Sequence, residues 1–177
     1  MKKTAAGAVI LLCFLLVSCG APEGTRPVFL YALSVVPTED SVRLAALIAR
    51  GGASSAETRG ESEKYGFETP VFEGESVAEA FDALWRGVGG EDAFAGTVKL
   101  YILDEKADNE TVREFATVLL SSPRLPLAAG LSVCGDPEGD LCALATACDA
   151  RDFDAYASRA FASEENAVAA LRGLLCV

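Results

Sequence analysis

The chain lacks the residue sets that most enzymes use for acid–base or nucleophilic catalysis. It has no histidine, so the commonest general base is missing and neither a Ser-His nor a Cys-His pair can form. Its 26 Asp and Glu residues would allow a carboxylate pair of the kind that cleaves glycosidic bonds. Because a strongly acidic surface brings carboxylates together by chance, we expect a protein that binds rather than an enzyme.

Four cysteines in the second half of the chain are candidates for disulfides or for metal binding. Cys134, Cys142, Cys148 and Cys176 allow three pairing schemes, and sequence does not choose between them. A bond between Cys134 and Cys142 would close a short loop between a strand and a helix. Zinc sites need close pairs such as C-x2-C, whereas the spacings here are seven, five and 27 residues, so no metal site is expected.

Three carboxylates in the sequence GDPEGD form a second candidate for metal binding. Asp136, Glu138 and Asp140 could supply oxygen ligands to calcium, but they lack the spacing of an EF-hand loop. Pro137 suits the first turn of a helix, so we expect Asp136 to be a helix cap.

Cys19 follows the longest apolar run of the chain. Lys2 and Lys3 precede that run, and small residues follow it, which together give the three parts of a secretory leader. The apolar run at residues 5–17 is too short for a transmembrane helix, which needs about 20 residues. The sequence LVSC at residues 16–19 resembles the bacterial lipobox, whose cysteine receives a diacylglycerol and becomes the first residue of the mature protein.

The lipobox resemblance implies three segments and a location. Residues 1–18 would be the leader, residues 19–26 a lipidated tether, and residues 27–177 a single domain. The diacylglycerol on Cys19 would anchor the protein to the extracytoplasmic face of a membrane, since stable anchoring takes roughly two acyl chains. No other cofactor is expected.

The charge balance limits the partners of the protein. The full chain has 15 basic and 26 acidic residues, and loss of Lys2 and Lys3 with the leader brings the net charge to −13. Such a surface repels nucleic acid and anionic lipid, so the lipid chains and not a basic patch should hold the protein on the membrane. The 51% apolar content predicts a folded chain.

The first half of the chain predicts three strands. Apolar segments at residues 28–36 and 42–49 flank the turn sequence PTEDS and predict an antiparallel pair, although the second also fits helical spacing. Residues 51–64 are small and polar and predict a long loop, which is a candidate contact surface. Residues 65–73 predict a third strand, with Pro70 favouring an edge.

Helices and strands alternate in the second half. Ser76 and Glu79 form a capping box before a helix whose apolar face includes Trp85, a predicted core anchor. The further predicted elements are a strand at residues 97–103, a helix capped by Asp108 or Asn109, a strand at 127–134, a helix after Asp136 and two helical segments from Asp152 onward. The order β-β-β-α-β-α-β-α-α predicts a single α+β domain, a mixed β-sheet with helices packed on it.

Residues 74–135 resemble the first domain of a lipoprotein family. The segments GESVAEAFDALWRG, TVKLYILDEK, NETVREFATVLLSSPRL and LAAGLSVCGD are similar in order and spacing to the amino-terminal domain of the C subunit of spore germinant receptors, the GerAC-like or Ger(x)C family. Ala80 falls at its helix alanine, Arg124 at an arginine after the second helix, and Cys19 at the acylated cysteine. The chain departs from the family in the residues after Cys19, at residues 36–38, and in being about half as long.

This resemblance implies a non-catalytic accessory subunit that works beside integral membrane subunits in nutrient sensing during germination. Its location would then be the outer face of the spore inner membrane. A small-ligand-binding or structural envelope lipoprotein unrelated to germination is the alternative, and the residues leave it open.

Overall fold

The computed structural model of the protein describes residues 27–50, 66–89, 93–148, 150, 152–160, 167 and 169–171. The lipidation predicted at Cys19, the predicted loop at residues 51–64 and Cys176 lie outside these residues. The strands are β1 (Val28–Pro37), β2 (Val42–Arg50), β3 (Val71–Gly74), β4 (Ala93–Phe94), β5 (Leu100–Asp104) and β6 (Gly130–Cys134). The helices are α1 (Val77–Gly87), α2 (Asn109–Ser121), α3 (Pro137–Ala147) and α4 (Phe153–Ala160).

The six strands form one mixed sheet. Its order is β3-β2-β1-β5-β6, and β4 also pairs with β1. The pairs β1–β2 and β2–β3 are antiparallel, whereas β4 and β5 run parallel to β1, and β6 runs parallel to β5. The predicted α+β fold with a mixed sheet is therefore confirmed.

The β1–β2 hairpin forms the middle of the sheet, so the helical interpretation of residues 42–49 is wrong. Its register shifts at Tyr31, because Leu30 pairs with Ile48 while Ala32 pairs with Leu47. One extra residue in β1 makes a β-bulge. As a result Tyr31 and Ala32 both pack on the same side of the sheet.

Helices cover both faces of the sheet and give two apolar cores. One core joins the sheet to α1 and α2 through residues such as Phe81, Leu84 and Phe115. The other joins it to α3 and α4 through residues such as Leu141 and Phe153. Burial on both faces explains why β1 and β5 read as nearly continuous apolar runs.

Trp85 contributes to the first core from its margin. The indole is partly buried against that core, and the guanidinium carbon of Arg124 lies 5.6 Å from the ring centroid. Stacking of a cation on an indole face is favourable. The predicted core anchor is thus confirmed in position, with one side of the ring covered by a charged group.

Helix caps follow the sequence closely. The Ser76 hydroxyl accepts a hydrogen bond from Glu79 N at 3.3 Å, while the Glu79 carboxylate accepts one from Glu75 N at 3.0 Å. Asp108, and not Asn109, caps α2 by accepting from Thr111 N at 2.8 Å. Asp136 caps α3 as predicted.

Two strands begin later than predicted because turns precede them. Val98 N donates to Ala95 O, and the Thr97 hydroxyl donates to Leu30 O, so β5 starts at Leu100. β6 starts at Gly130 after a turn in which Ala129 N donates to Pro126 O. The two-residue strand β4 carried no sequence signal.

The third strand is interrupted at Pro70. Glu68 bridges to Ile48, and Pro70 only accepts, from Ala46 N at 3.0 Å, because proline has no N–H to donate. The continuous part is Val71–Gly74, at the edge of the sheet as predicted.

Candidate functional site

The carboxyl ends of the parallel strands meet at one edge of the sheet. After β5 the chain enters α2 on one face, whereas after β6 it enters α3 on the opposite face. In open α/β sheets, ligands bind where neighbouring strands send their connections to opposite sides. This edge is therefore the expected place for a binding site.

A cleft of about 840 Å³ lies at this edge, between the β1–β2 turn and the first turn of α2. We call it the acidic cleft, because Lys106 is the single basic residue among the described residues that line it. Its carboxylates are Glu39, Asp40, Glu75, Asp108, Glu110 and Glu114.

The turn that carries Glu39 and Asp40 is tied at its base. Thr38 N and the Thr38 hydroxyl both donate to Ser41 O at 2.8 Å, and Ser41 N donates to the Thr38 hydroxyl at 3.1 Å. Glu39 and Asp40 are exposed at the tip. The turn thus presents two carboxylates from a fixed backbone.

Two carboxylates of the acidic cleft hold helix ends in place. The hydrogen bond from Thr111 N lowers the pKa of Asp108, so this carboxyl stays ionised down to a lower pH than an ordinary aspartate. Glu114 of α2 accepts from Val77 N, the first residue of α1, at 3.1 Å. The other four make no side-chain hydrogen bond or ion pair with any residue that the structure describes.

The opposite face of the same edge carries a partly buried ion pair beneath α3. Arg43 of β2 and Glu138 of α3 form an ion pair at 2.6 Å. Arg43 Nε, Glu138 Oε1 and the Ser34 hydroxyl are buried and have no hydrogen-bond partner among the described residues. Ser34 lies in the central strand β1 and is fully buried.

The cysteines of this region are free thiols. Burial raises the pKa of Cys134 to about 11, with a hydrogen bond to Asp140 as the next cause. Cys142 lies 3.9 Å from the Thr69 hydroxyl, and the Cys148 thiol donates to Leu144 O. The disulfide between Cys134 and Cys142 is not formed here and stays a prediction for the oxidised chain.

The surroundings of Cys134 and Asp136 determine the chemistry of each side chain. A thiol whose pKa is raised is mostly protonated near neutral pH and is a weak nucleophile. Within the described ranges, no three Cys, Asp or Glu residues are grouped so that they could hold a metal ion. Asp136, considered for calcium, instead accepts a hydrogen bond from Gly139 N at 3.0 Å.

Sequence reasoning did not identify the acidic cleft. Its carboxylates come from the β1–β2 turn, from Glu75 two residues before α1, and from the cap and first half of α2, which are far apart in the chain. The only available signal was that acidic residues recur at predicted turns and helix starts, which is also their ordinary place. Bringing the three segments together required the sheet order.

Comparisons with known proteins identify no relative of this chain. No helix in the part of the chain that the structure describes is long and apolar enough to cross a membrane. No family model, curated protein or solved structure matches the sequence or the fold.

Proposed function

We propose that this protein is a lipid-anchored, non-catalytic binding subunit of a membrane complex. A diacylglycerol on Cys19 holds it on the extracytoplasmic face, and the acidic cleft receives a Lys- or Arg-rich segment of an integral membrane partner. The observation that carries the proposal is the composition of the cleft, six carboxylates against one lysine around a volume of about 840 Å³.

Electrostatics supports a basic partner. A cleft lined by charges of one sign concentrates its field and raises the local concentration of oppositely charged groups. Glu39, Asp40, Glu75 and Glu110 form no ion pair with any residue that the structure describes, so they are available to pair with a cation. The net negative charge of the chain adds a long-range attraction for the same positively charged groups.

A purely structural reason accounts for only part of this charge. Carboxylates near a helix amino terminus are favourable because they face the positive end of the helix dipole. That explains Asp108 and Glu110 at the start of α2. The dipole does not act on Glu39 and Asp40, which lie between β1 and β2. Polar residues are ordinary in an exposed turn, but both of these carboxylates line the cleft without a hydrogen bond or ion pair to a described residue. The turn carboxylates are therefore the ones we assign to partner binding.

A narrower form of the proposal makes the protein a C subunit of a spore germinant receptor. It rests on the similarity in residues 74–135, where α1, β5, α2 and β6 follow in the order of that family's first domain. A small-ligand-binding or structural envelope lipoprotein is the alternative. The two forms predict different partners in the same experiment.

Charge reversal at the turn tests the docking surface. The full lipidated chain, Glu39→Lys with Asp40→Lys, and a control with Glu73→Lys and Asp82→Lys are purified from membranes of the native cells, including sporulating ones. Both variants change the charge equally, but the control residues are exposed and lie outside the acidic cleft. We expect the cleft variant alone to lose a co-purifying membrane protein, and equal retention by both variants would contradict the assignment.

The anchor has a separate test. Cys19→Ala removes the acceptor for the lipid, so the protein should leave the membrane fraction, while Cys142→Ala should stay in it. Tight membrane retention of Cys19→Ala would refute lipid anchoring. Polytopic germinant-receptor subunits among the proteins captured by the wild type would support the narrower form, and transporter components would support the alternative.

A further inference from the structure

A second cavity lies on the other face of the sheet, between β5 and β6 and the helices α3 and α4. Its volume is about 300 Å³. Leu100 and Ile102 of β5 form its floor and are almost fully buried, while Leu144 of α3 forms a wall. Ala143, exposed on α3, lies at its opening. We call it the α3 cavity.

Three polar groups face this mostly apolar space. Asp140 is exposed, whereas Ser132 and Tyr156 are partly buried. Neither hydroxyl makes a hydrogen bond to another residue that the structure describes. Apolar walls with a few convergent polar groups are typical of small-molecule sites.

We propose that the α3 cavity binds a small amphipathic cation, a molecule with an ammonium group and an apolar body. The ammonium group pairs with Asp140 and with one of the two hydroxyls, and the apolar body lies against exposed Ala143 and Ala147 and the partly exposed ring of Tyr156. No Lys or Arg lines the cavity within the described residues, and Asp140 forms no ion pair with any of them.

The carboxylate keeps the capacity to accept a ligand. The Cys134 thiol donates one hydrogen bond to Asp140. A carboxylate has about four acceptor positions, so most of them stay open towards the cavity. Hydrogen bonds to a charged group are stronger than neutral ones, which favours an ammonium ligand over an alcohol.

The volume limits the ligand to a small molecule. Liquid water occupies about 30 Å³ per molecule, so the cavity corresponds to roughly ten waters or a similar number of non-hydrogen atoms. This size suits an aryl-alkyl or alkyl amine. The site lies on the opposite face from the acidic cleft, so the proposal does not depend on partner docking.

Three probes of equal body size separate the contributions. We would measure binding of 2-phenylethylamine, 2-phenylethanol and phenylacetate to the full lipidated chain in lipid nanodiscs by calorimetry and by hydrogen–deuterium exchange. The amine should bind about tenfold or more tightly than the alcohol, as expected for a charge-assisted hydrogen bond. Protection should appear in peptides that cover β6 and α3.

Two variants and a control locate the site. Asp140→Asn should remove the preference for the amine, whereas Asp82→Asn on α1 should leave it unchanged. Ala143→Leu places a larger side chain at an exposed position of α3 beside the cavity. This variant should weaken the binding of the amine and of the alcohol to the same extent.

Three outcomes would overturn the proposal: no saturable binding of any probe, equal affinity for the amine and the alcohol, or an unchanged amine affinity in Asp140→Asn. If the variant with Glu39→Lys and Asp40→Lys loses its membrane partner but still binds the amine, the two sites are independent.

Discussion

Cys134 should react with an alkylating reagent more slowly than an ordinary thiol. Its pKa is raised from 9.0 to about 11, first because it is buried and then because it donates a hydrogen bond to Asp140. A difference of two pKa units lowers the thiolate fraction near neutral pH about a hundredfold. A more basic thiolate is also more nucleophilic, which recovers roughly a factor of eight, so the net rate should fall about tenfold.

The assay is a time course on the reduced full chain in lipid nanodiscs. Iodoacetamide is added at pH 8, and the modification of Cys134 and of exposed Cys142 is quantified by peptide mass spectrometry. The two cysteines should differ in the folded protein and react at equal rates in guanidinium. Asp140→Asn should accelerate the alkylation of Cys134, whereas Asp82→Asn should leave its rate unchanged.

The same pKa shift makes a prediction for stability. Because the folded-state pKa lies above that of the unfolded chain, the protonated thiol contributes stability that is complete below about pH 8.5 and lost as pH rises towards 11. Cys134→Ala should therefore weaken the loss of stability over that interval. Equal alkylation of Cys134 and Cys142 in the folded protein would refute this description of the edge.

Three substitutions test the packing around the site. Gly74→Ala would place a Cβ against Ala80 N in the first turn of α1. Chemical denaturation should therefore show that the free energy of unfolding falls by roughly 2–4 kcal/mol. A fall of less than about 0.5 kcal/mol would contradict this packing. Ser34→Ala removes a fully buried hydroxyl without a described partner and should raise the unfolding free energy by about 1 kcal/mol, whereas a decrease would mean that the hydroxyl is bonded. Asp108→Ala removes the bond from Thr111 N and should lower the unfolding midpoint at pH 7. Since the pKa of Asp108 is lowered, the difference in midpoint between variant and wild type should shrink as pH falls below about 4. A difference that stays constant with pH would refute the cap.

Much of the fold follows from local signals in the sequence. Polar side chains next to apolar periodic segments predicted the caps of α1 and α3, and two apolar segments around PTEDS predicted the β1–β2 hairpin. These features depend on residues within about four positions of one another. The alternation of strands and helices then predicted the fold class.

The layer arrangement and the sites depend on distant contacts. The bulge at Tyr31 is set by pairing with β2, and the late start of β5 by the bond from Thr97 to Leu30. The acidic cleft joins segments that meet only because β1 and β5 are neighbours. The α3 cavity takes its lining from β5, β6, α3 and α4, which meet only in the folded protein. Periodicity within single segments cannot specify such contacts.

The most direct test of the docking claim is site-specific photocrosslinking in living cells. A photoreactive amino acid at residue 40, in the turn of the acidic cleft, is compared with one at residue 82 on α1. The account predicts that residue 40 alone captures an integral membrane protein, through a Lys- or Arg-rich peptide, and that capture declines as ionic strength rises. The same products at both positions, or capture that is insensitive to salt, would contradict it.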